Sequence, residues 1–342
     1  MRDGVTIWTE GGAYIGMGHL VRCINIAGAL DALGIPVRFL VNSDRAVIER
    51  LDGAGFAQSA CQTGWEHAEG LTHGIVLIDT RKDVTTLISA LKGSGKKVVL
   101  LDNAVSLGAD LVIVPSALYR EKADKVKGGG EFVIVNEKFR SYKGPEIRHA
   151  SPLKVLVTMG GADPFRLTEL VLKSLNDMEG VEATTVIGPA FSPERDLKAL
   201  VKWRPGFRFA EGINDLSPLM TASHVAITAV GTTIYELACM GVPSILIGNY
   251  ESDKSDLKGF ERLGASISLG HYKDATPEAI RSSVKKFQDE AFWRKASERA
   301  RKLVDGRGAE RIASLIEGFS NERQANRTEG IQHAYRQAHR QG

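Results

Sequence analysis

An apolar run from Val5 to Thr9 leads through the glycine turn Ile15-Gly16-Met17-Gly18 into a segment where Leu20, Cys23 with Ile24, Ala27 and Leu30 recur at helical spacing, until Gly34 and Pro36 stop it. Strand, glycine turn and helix in that order predict the first unit of a parallel α/β sheet. Such a turn lets backbone approach a ligand closely, and the helix N-terminus offers free N–H groups and positive potential to an anion. It is not a dinucleotide fingerprint. Gly16-x-Gly18-x-x-Val21 lacks the third glycine and puts His19 where a small residue would suit a pyrophosphate, and Val41 is followed by Asn42 and Ser43 rather than by an acidic residue. A nicotinamide oxidoreductase is thereby disfavoured. His19 itself reads in two ways, as a helix-capping or satisfied surface histidine, or as a group placed for proton transfer.

Apolar strand-like runs alternate with amphipathic segments almost throughout, the pattern of parallel sheets with crossover helices. In the first half strands are expected at Val5–Thr9, Val37–Val41, Ile75–Asp79, Val98–Leu101 and Leu111–Val114, with Phe132–Val135 last. From Arg140 to Pro152 the chain is polar, broken by Gly144 and Pro145, and reads as a linker. At Leu153 the opening pattern repeats: strand Leu153–Thr158, the turn Gly160-Gly161-Ala162-Asp163-Pro164, then a helix with Leu167, Leu170, Val171 and Leu175 on one face. The expectation is α/β: an N-terminal Rossmann-like domain over 1–145, a second over 152–319, and a polar tail over 320–342. Two such halves resemble the GT-B architecture, two Rossmann-like domains facing across a cleft.

At 342 residues the chain is long enough for two domains with real cores. A net charge of +3 does not argue for nucleic acid. Cys23, Cys61 and Cys239 lack metal-ligand spacing and read as thiols of a reducing compartment. With no signal peptide and no apolar run of membrane-spanning length, the chain reads as cytoplasmic, without membrane insertion. Gly93-Ser94-Gly95-Lys96 resembles part of a phosphate loop, but it joins helix to strand, the wrong order. No Asp-x-Asp dyad, His-Glu-x-x-His or Gly-x-Ser-x-Gly is present, so chemistry without metal or cofactor is expected.

The second informative stretch runs from Ile227 to Pro243. A strand ends, Gly231 permits close approach, Thr232 and Thr233 can cap the following helix, and Glu236 lies one turn inside it. Phosphates would suit that helix N-terminus, and an ionised Glu236 has two oxygens to accept from both hydroxyls of a ribose. Glu236 reads equally as a solvated residue favouring the positive end of the helix dipole.

Ile-Gly-x-Gly-His-x-x-Arg-Cys at 15–23 resembles the opening motif of the sugar-nucleotide hydrolases of pseudaminic acid biosynthesis, the PseG/SpsG family, which are relatives of the MurG-type glycosyltransferases. Gly231-x-x-x-x-Glu236 followed by Gly241-x-Pro243 resembles the nucleotide half of the same proteins. The segments Glu211–Met220, Met159–Pro164 and Asp305–Arg311 match further family stretches, the last reading as a turn into a terminal helix. The resemblance spans about residues 5 to 318. It implies a UDP-sugar substrate cleaved at the anomeric carbon with inversion, by water or by an acceptor hydroxyl in a transferase. It makes His19 the catalytic base, Asn249 a sugar-positioning residue, and Asp79 a group orienting His19 or the nucleophile, unless Asp79 is a strand-end turn residue. It puts Gly16, Gly18, Arg22, Gly160, Gly161, Asp163, Ile213, Met220, Gly231, Thr232, Thr233 and Glu236 at the substrate, Ile213 through backbone bonds to the base. The sequence departs from the family at Thr80-Arg81, where a tyrosine is usual after the strand-end carboxylate, and at Tyr250, where Asn-Gln is usual. Both are expected to face the sugar, where Arg81 would suit an acidic group. A non-catalytic nucleotide-sugar binding module is the third class, against which His19 stands because recognition of UDP does not require it.

Overall fold

The structure, a computed structural model, describes residues 3–12, 15–61, 71, 73–121, 123–142, 149–192, 196–201, 204–213 and 215–321. Most of the polar tail expected over 320–342, and the middle of the expected linker, lie outside these residues. The chain divides into two compact units, Met1–Asn136 with Arg307–Gly342, and Glu137–Gly306.

In the first unit the strands are β1 (Val5–Thr9), β2 (Val37–Asn42), β3 (Gln58–Cys61), β4 (Ile75–Asp79), β5 (Lys97–Leu101), β6 (Leu111–Val114) and β7 (Val126–Gly128), with helices α1 (Gly18–Ala32), α2 (Arg45–Gly53) and α3 (Thr85–Gly93) between them. They form one parallel sheet of order β3-β2-β1-β4-β5-β6-β7. β1 and β4 are buried along their whole length, which is why β4 reads as a continuous rather than an alternating apolar run up to Asp79. α1 lays Leu20, Cys23, Ile26, Ala27 and Leu30 on the sheet, and each leucine or isoleucine among them contributes about 1.5–3 kcal/mol by leaving water.

One expectation fails here, and two strands, β3 and β7, lie where none is expected. Phe132–Val135 is not a strand: Gly130–Phe132 is a single 3-10 turn, and β7 holds the sheet edge. Phe132, Val133 and Val135 are buried all the same, because an apolar run reports burial and not backbone pairing. β3, with the sequence Gln-Ser-Ala-Cys, has too little apolar character to announce itself.

In the second unit α4 (Glu137–Ser141) precedes β8 (Leu153–Thr158), α5 (Leu167–Asn176), β9 (Val181–Ile187), β10 (Phe207–Glu211), α6 (Ser217–Thr221), β11 (Val225–Ala229), α7 (Thr233–Met240), β12 (Ser244–Gly248), α8 (Lys254–Leu263), β13 (Ser266–His271), α9 (Pro277–Gln288) and α10 (Glu290–Leu303). The sheet is parallel with order β10-β9-β8-β11-β12-β13, the Rossmann order.

The division of the chain corrects the expected boundaries. α4 belongs to the second unit, and residues 308–321, a helix, return to the first. Ile312, Ala313 and Ile316 are fully buried in the same core as Val5, Ile7 and Leu20. Gly308 makes the approach possible, since a Cβ there would collide with the Val133 carbonyl. Helical periodicity marks which face of this segment is buried but carries no information about which core receives it.

Candidate active site

In each sheet one pair of neighbouring strands continues toward opposite edges, β1 with β4 in the first and β8 with β11 in the second. Ligands of open α/β sheets bind at the carboxyl ends of such pairs.

At the first of these points Thr9 pairs with Asp79 across β1 and β4. Asn42, at the end of β2, holds the turn after β1 by donating to the Gly11 carbonyl at 2.8 Å and accepting from its N–H at 3.0 Å. Gly16 has φ +85°, a conformation that resists a side chain. It and Gly18 are exposed, with open space where a Cβ would stand. The first turn of α1 has no side-chain cap, and it directs His19 and Arg22, three residues apart, to one face.

His19 Nδ1 lies 2.6 Å from Asp79 Oδ1. The carboxylate only accepts, so Nδ1 carries the hydrogen, and in the neutral imidazole that leaves the lone pair on Nε2. Arg22 Nη2, 3.0 Å from the same Nδ1, is therefore a neighbouring donor and not its partner. Arg22 grips Asp79 through Nε to Oδ2 at 2.7 Å and Nη2 to Oδ1 at 2.6 Å, and reaches Asp102 Oδ2 through Nη1 at 2.9 Å. The Cys23 thiol completes the shell, 3.4 Å from Asp79 Oδ2.

Asp79 is 1% exposed. Burial alone would raise its pKa, but the hydrogen bonds from Arg22 and then from His19 outweigh it and hold the carboxyl below its ordinary value. Burial, with Asp79 beside it, pushes the Cys23 thiol well up, so it stays a donor. Burial pulls the Arg22 guanidinium down, yet Asp79 more than compensates and it sits above its ordinary value. Two expectations change accordingly. Arg22 is not free for substrate, since all three of its nitrogens face carboxylates. Asp79, buried and saturated with donors, has no room to orient a nucleophile and can act only on His19.

After β4, Arg81 is exposed while Thr80 is buried, its hydroxyl accepting from the Lys82 N–H at 3.2 Å. Asn103 fixes this loop by donating to the carbonyls of Thr80 at 2.7 Å and Lys82 at 2.9 Å. Neither Asn42 nor Asn103 carries a motif. The only signal in sequence is an amide residue at the end of a strand.

In the second unit Gly160 and Gly161 are exposed after β8, and Gly231 and Thr232 after β11. Thr232 occupies the N-cap position of α7 but its side chain makes no cap bond, contrary to expectation, which leaves the leading amides of α7 without a side-chain acceptor. Asp163, expected at the substrate, is 2% exposed and points inward: its two oxygens accept from the N–H groups of Leu167 at 2.8 Å and Thr168 at 3.1 Å, capping α5. Met220 is fully buried, a core residue of α6 rather than a ligand. Ile213 is 39% exposed at the end of β10, beside Asn214, which lies outside the described residues.

Glu236 sits in the first turn of α7 with its carboxyl largely buried. Burial raises its pKa to about 7, against the pull of Lys138 and with a push from Asp215. Lys138 Nζ meets Asp215 Oδ1 at 2.9 Å. Burial works against ionisation of Asp215 too, but Ser217, through its hydroxyl at 2.6 Å and its N–H at 3.0 Å, and then Lys138 bring it to about 2. No motif in the sequence marks Lys138, which belongs to α4, far from Glu236 along the chain.

Asn249 and Tyr250 follow β12, and Asp253 Oδ2 accepts from both of their N–H groups, at 2.9 and 3.0 Å. Tyr250 is 60% exposed and stands edge-on to Phe165 at 6.3 Å, which in turn stacks on Tyr272 at 3.9 Å. Aromatic rings thus converge from the connections after β8, β12 and β13, and periodicity had marked neither Phe165 nor Tyr272.

No protein-family model matches the chain. In sequence it is 24% identical over 322 residues to the spore coat polysaccharide biosynthesis protein SpsG of Bacillus subtilis, covering 89% of this chain and 95% of that protein. In structure it is similar to MurG of Acinetobacter baumannii, with a TM-score of 0.72 and 15% identity, over 92% of this chain and 99% of MurG. It is also similar to the spinosyn rhamnosyltransferase SpnG solved with thymidine diphosphate, with a TM-score of 0.63 and 16% identity, over 92% of this chain and all of SpnG. Among the described residues no helix is long and apolar enough to cross a membrane. With two parallel Rossmann-type sheets, the chain has the GT-B fold and is similar over most of its length to SpsG in sequence and to MurG and SpnG in structure.

Proposed function

We propose that the protein is a nucleotide-sugar enzyme that transfers the glycosyl group of a UDP-sugar to an acceptor hydroxyl, with inversion and with UDP as the leaving group. The observation that carries this reading is the His19–Asp79 pair at 2.6 Å, which leaves Nε2 of a histidine beside an open glycine turn as a base. Pure nucleotide recognition has no use for it. As the acceptor hydroxyl attacks, Nε2 takes its proton and Asp79 steadies the imidazolium that forms. Negative charge develops on the diphosphate, and the amides at Gly231 to Thr233 and the turn at Gly160-Gly161 are the groups assigned to it. Glu236 is assigned to the ribose, and Asn249, Tyr250 and Arg81 to the sugar.

The name of SpnG, a rhamnosyltransferase, supports transfer, and that of SpsG, a polysaccharide biosynthesis protein, suits either reaction. Hydrolysis is the second reading, favoured by the Gly16-x-Gly18-His19-x-x-Arg22-Cys23 motif and its resemblance to the pseudaminic acid hydrolases. The same catalytic pair serves both, since water replaces the acceptor without any other change. Incubating the purified protein with a panel of UDP-sugars, with and without candidate acceptors, separates them. Transfer gives UDP release that depends on an acceptor; hydrolysis gives release in its absence. No release from any donor, together with unimpaired UDP binding, would leave only a binding module.

A further inference from the structure

We propose that Asp102 is a positioning residue for His19, acting through Arg22; the inference rests on the reading of His19 as a base. Asp102 is the first residue after β5, and its carboxylate holds Arg22 Nη1 at 2.9 Å while the other two nitrogens of the same fork hold Asp79. A guanidinium is planar and rigid, so fixing its third nitrogen fixes the rotation of the other two. That rotation decides whether Nη2 donates to Asp79 Oδ1 or turns toward His19 Nδ1, which is only 3.0 Å from it. The first arrangement keeps the hydrogen on Nδ1 and the lone pair on Nε2. The second would favour the opposite tautomer, in which Nε2 carries the hydrogen and cannot accept a proton.

The backbone delivers Asp102 to this place. Its φ of +54° is uncommon for a residue with a Cβ. Its N–H donates to the Ile113 carbonyl at 2.8 Å, and the buried Asn103 that follows is bonded to the loop after β4 and to the N–H groups of Val105 and Ser106. The Asp102 side chain is 42% exposed, and an ion pair so open to water adds little to stability. Its placement is explained by charge. When His19 takes a proton, two cations, His19 and Arg22, face two carboxylates, Asp79 and Asp102, and the group is balanced. Without Asp102 the same step would leave an excess positive charge. The remaining ionisable contact of Asp79, the Cys23 thiol, stays protonated and does not alter this balance.

The test uses the full chain, with histidine labelled in the ring nitrogens and the His19 signals identified by their loss in His19→Gln. In the parent protein the nitrogen shifts should report hydrogen on Nδ1. In Asp102→Asn they should report a mixture of tautomers, and kcat should fall by about tenfold with KM within about twofold, while Asp102→Glu restores both. The proposal is overturned if Asp102→Asn keeps the parent tautomer and kcat, or if it lowers only the melting temperature. If the parent turns over no nucleotide sugar, the functional reading fails, and the tautomer comparison still decides the role of Asp102.

Discussion

The Nδ1–H of His19 and Oδ1 of Asp79 meet at 2.6 Å, joining the first turn of α1 to the end of β4. Because Asp79 also accepts from Nε and Nη2 of Arg22, it stays ionised and the imidazole has one orientation. A positioned base contributes about 10²–10⁴ in rate, so His19→Asn should lower kcat by about that factor and leave UDP affinity unchanged, since UDP is assigned to the other unit. Steady-state kinetics and calorimetry on the same variant check both halves. A histidine that served only as a cap would give the reverse, a lower melting temperature with normal turnover.

Glu236→Ala should weaken UDP binding by about 1.5–3 kcal/mol, the worth of hydrogen bonds to a charged group. The carboxyl accepts from both ribose hydroxyls only when ionised. With its pKa at about 7, UDP affinity should rise with pH up to about 7 and level off above it, and binding at pH 6 should release a proton. Calorimetry in buffers of different ionisation enthalpy reads that proton. Glu236→Gln should abolish the component due to this group, and an identical release in the variant would assign it elsewhere.

The same carboxyl sets a stability trend in the free protein. Its folded pKa, about 7, lies above the ordinary 4.5, so between those values the folded chain holds a proton that the unfolded chain has released. Stability from this group is complete below pH 4.5 and falls as pH rises through 7, by up to about 3 kcal/mol. Glu236→Gln should therefore melt at a higher temperature than the parent at pH 8, and the gap should close toward pH 4.5.

Asp163 faces α5 and not solvent. Asp163→Ala should cost about 1–2 kcal/mol of stability, the range for loss of a helix cap, with little effect on UDP affinity. Chemical denaturation alongside a binding titration tests this. A variant of normal stability that failed to bind UDP would return Asp163 to the substrate.

Arg81 and Tyr250 are exposed and stand where the resembling hydrolases carry other residues. Arg81→Ala should change the preference among sugar nucleotides while sparing UDP affinity, and the parent protein should discriminate against the diacetamido-trideoxy sugar nucleotide of the pseudaminic acid hydrolases. Competition assays with paired donors measure both. Efficient turnover of that sugar nucleotide would make the two departures neutral.

Residue order alone specifies what depends on neighbours along the chain. Apolar runs fixed β1, β4, β6 and β8 to the residue, and the glycine turns marked the strand ends where His19, Gly160 and Gly231 lie, because strand, turn and helix are each specified by a few consecutive residues. Tertiary structure decided everything that depends on what a side chain meets across space. It turned Asp163 and Met220 inward, gave Arg22 to Asp79 and Asp102, brought Lys138 to Asp215 near Glu236, and returned the helix at 308–321 to the first core. A carboxylate after a glycine turn looks the same in sequence whether it caps a helix or meets a ligand. Only the direction of its side chain separates the two, and that direction is set by packing between elements distant in the chain.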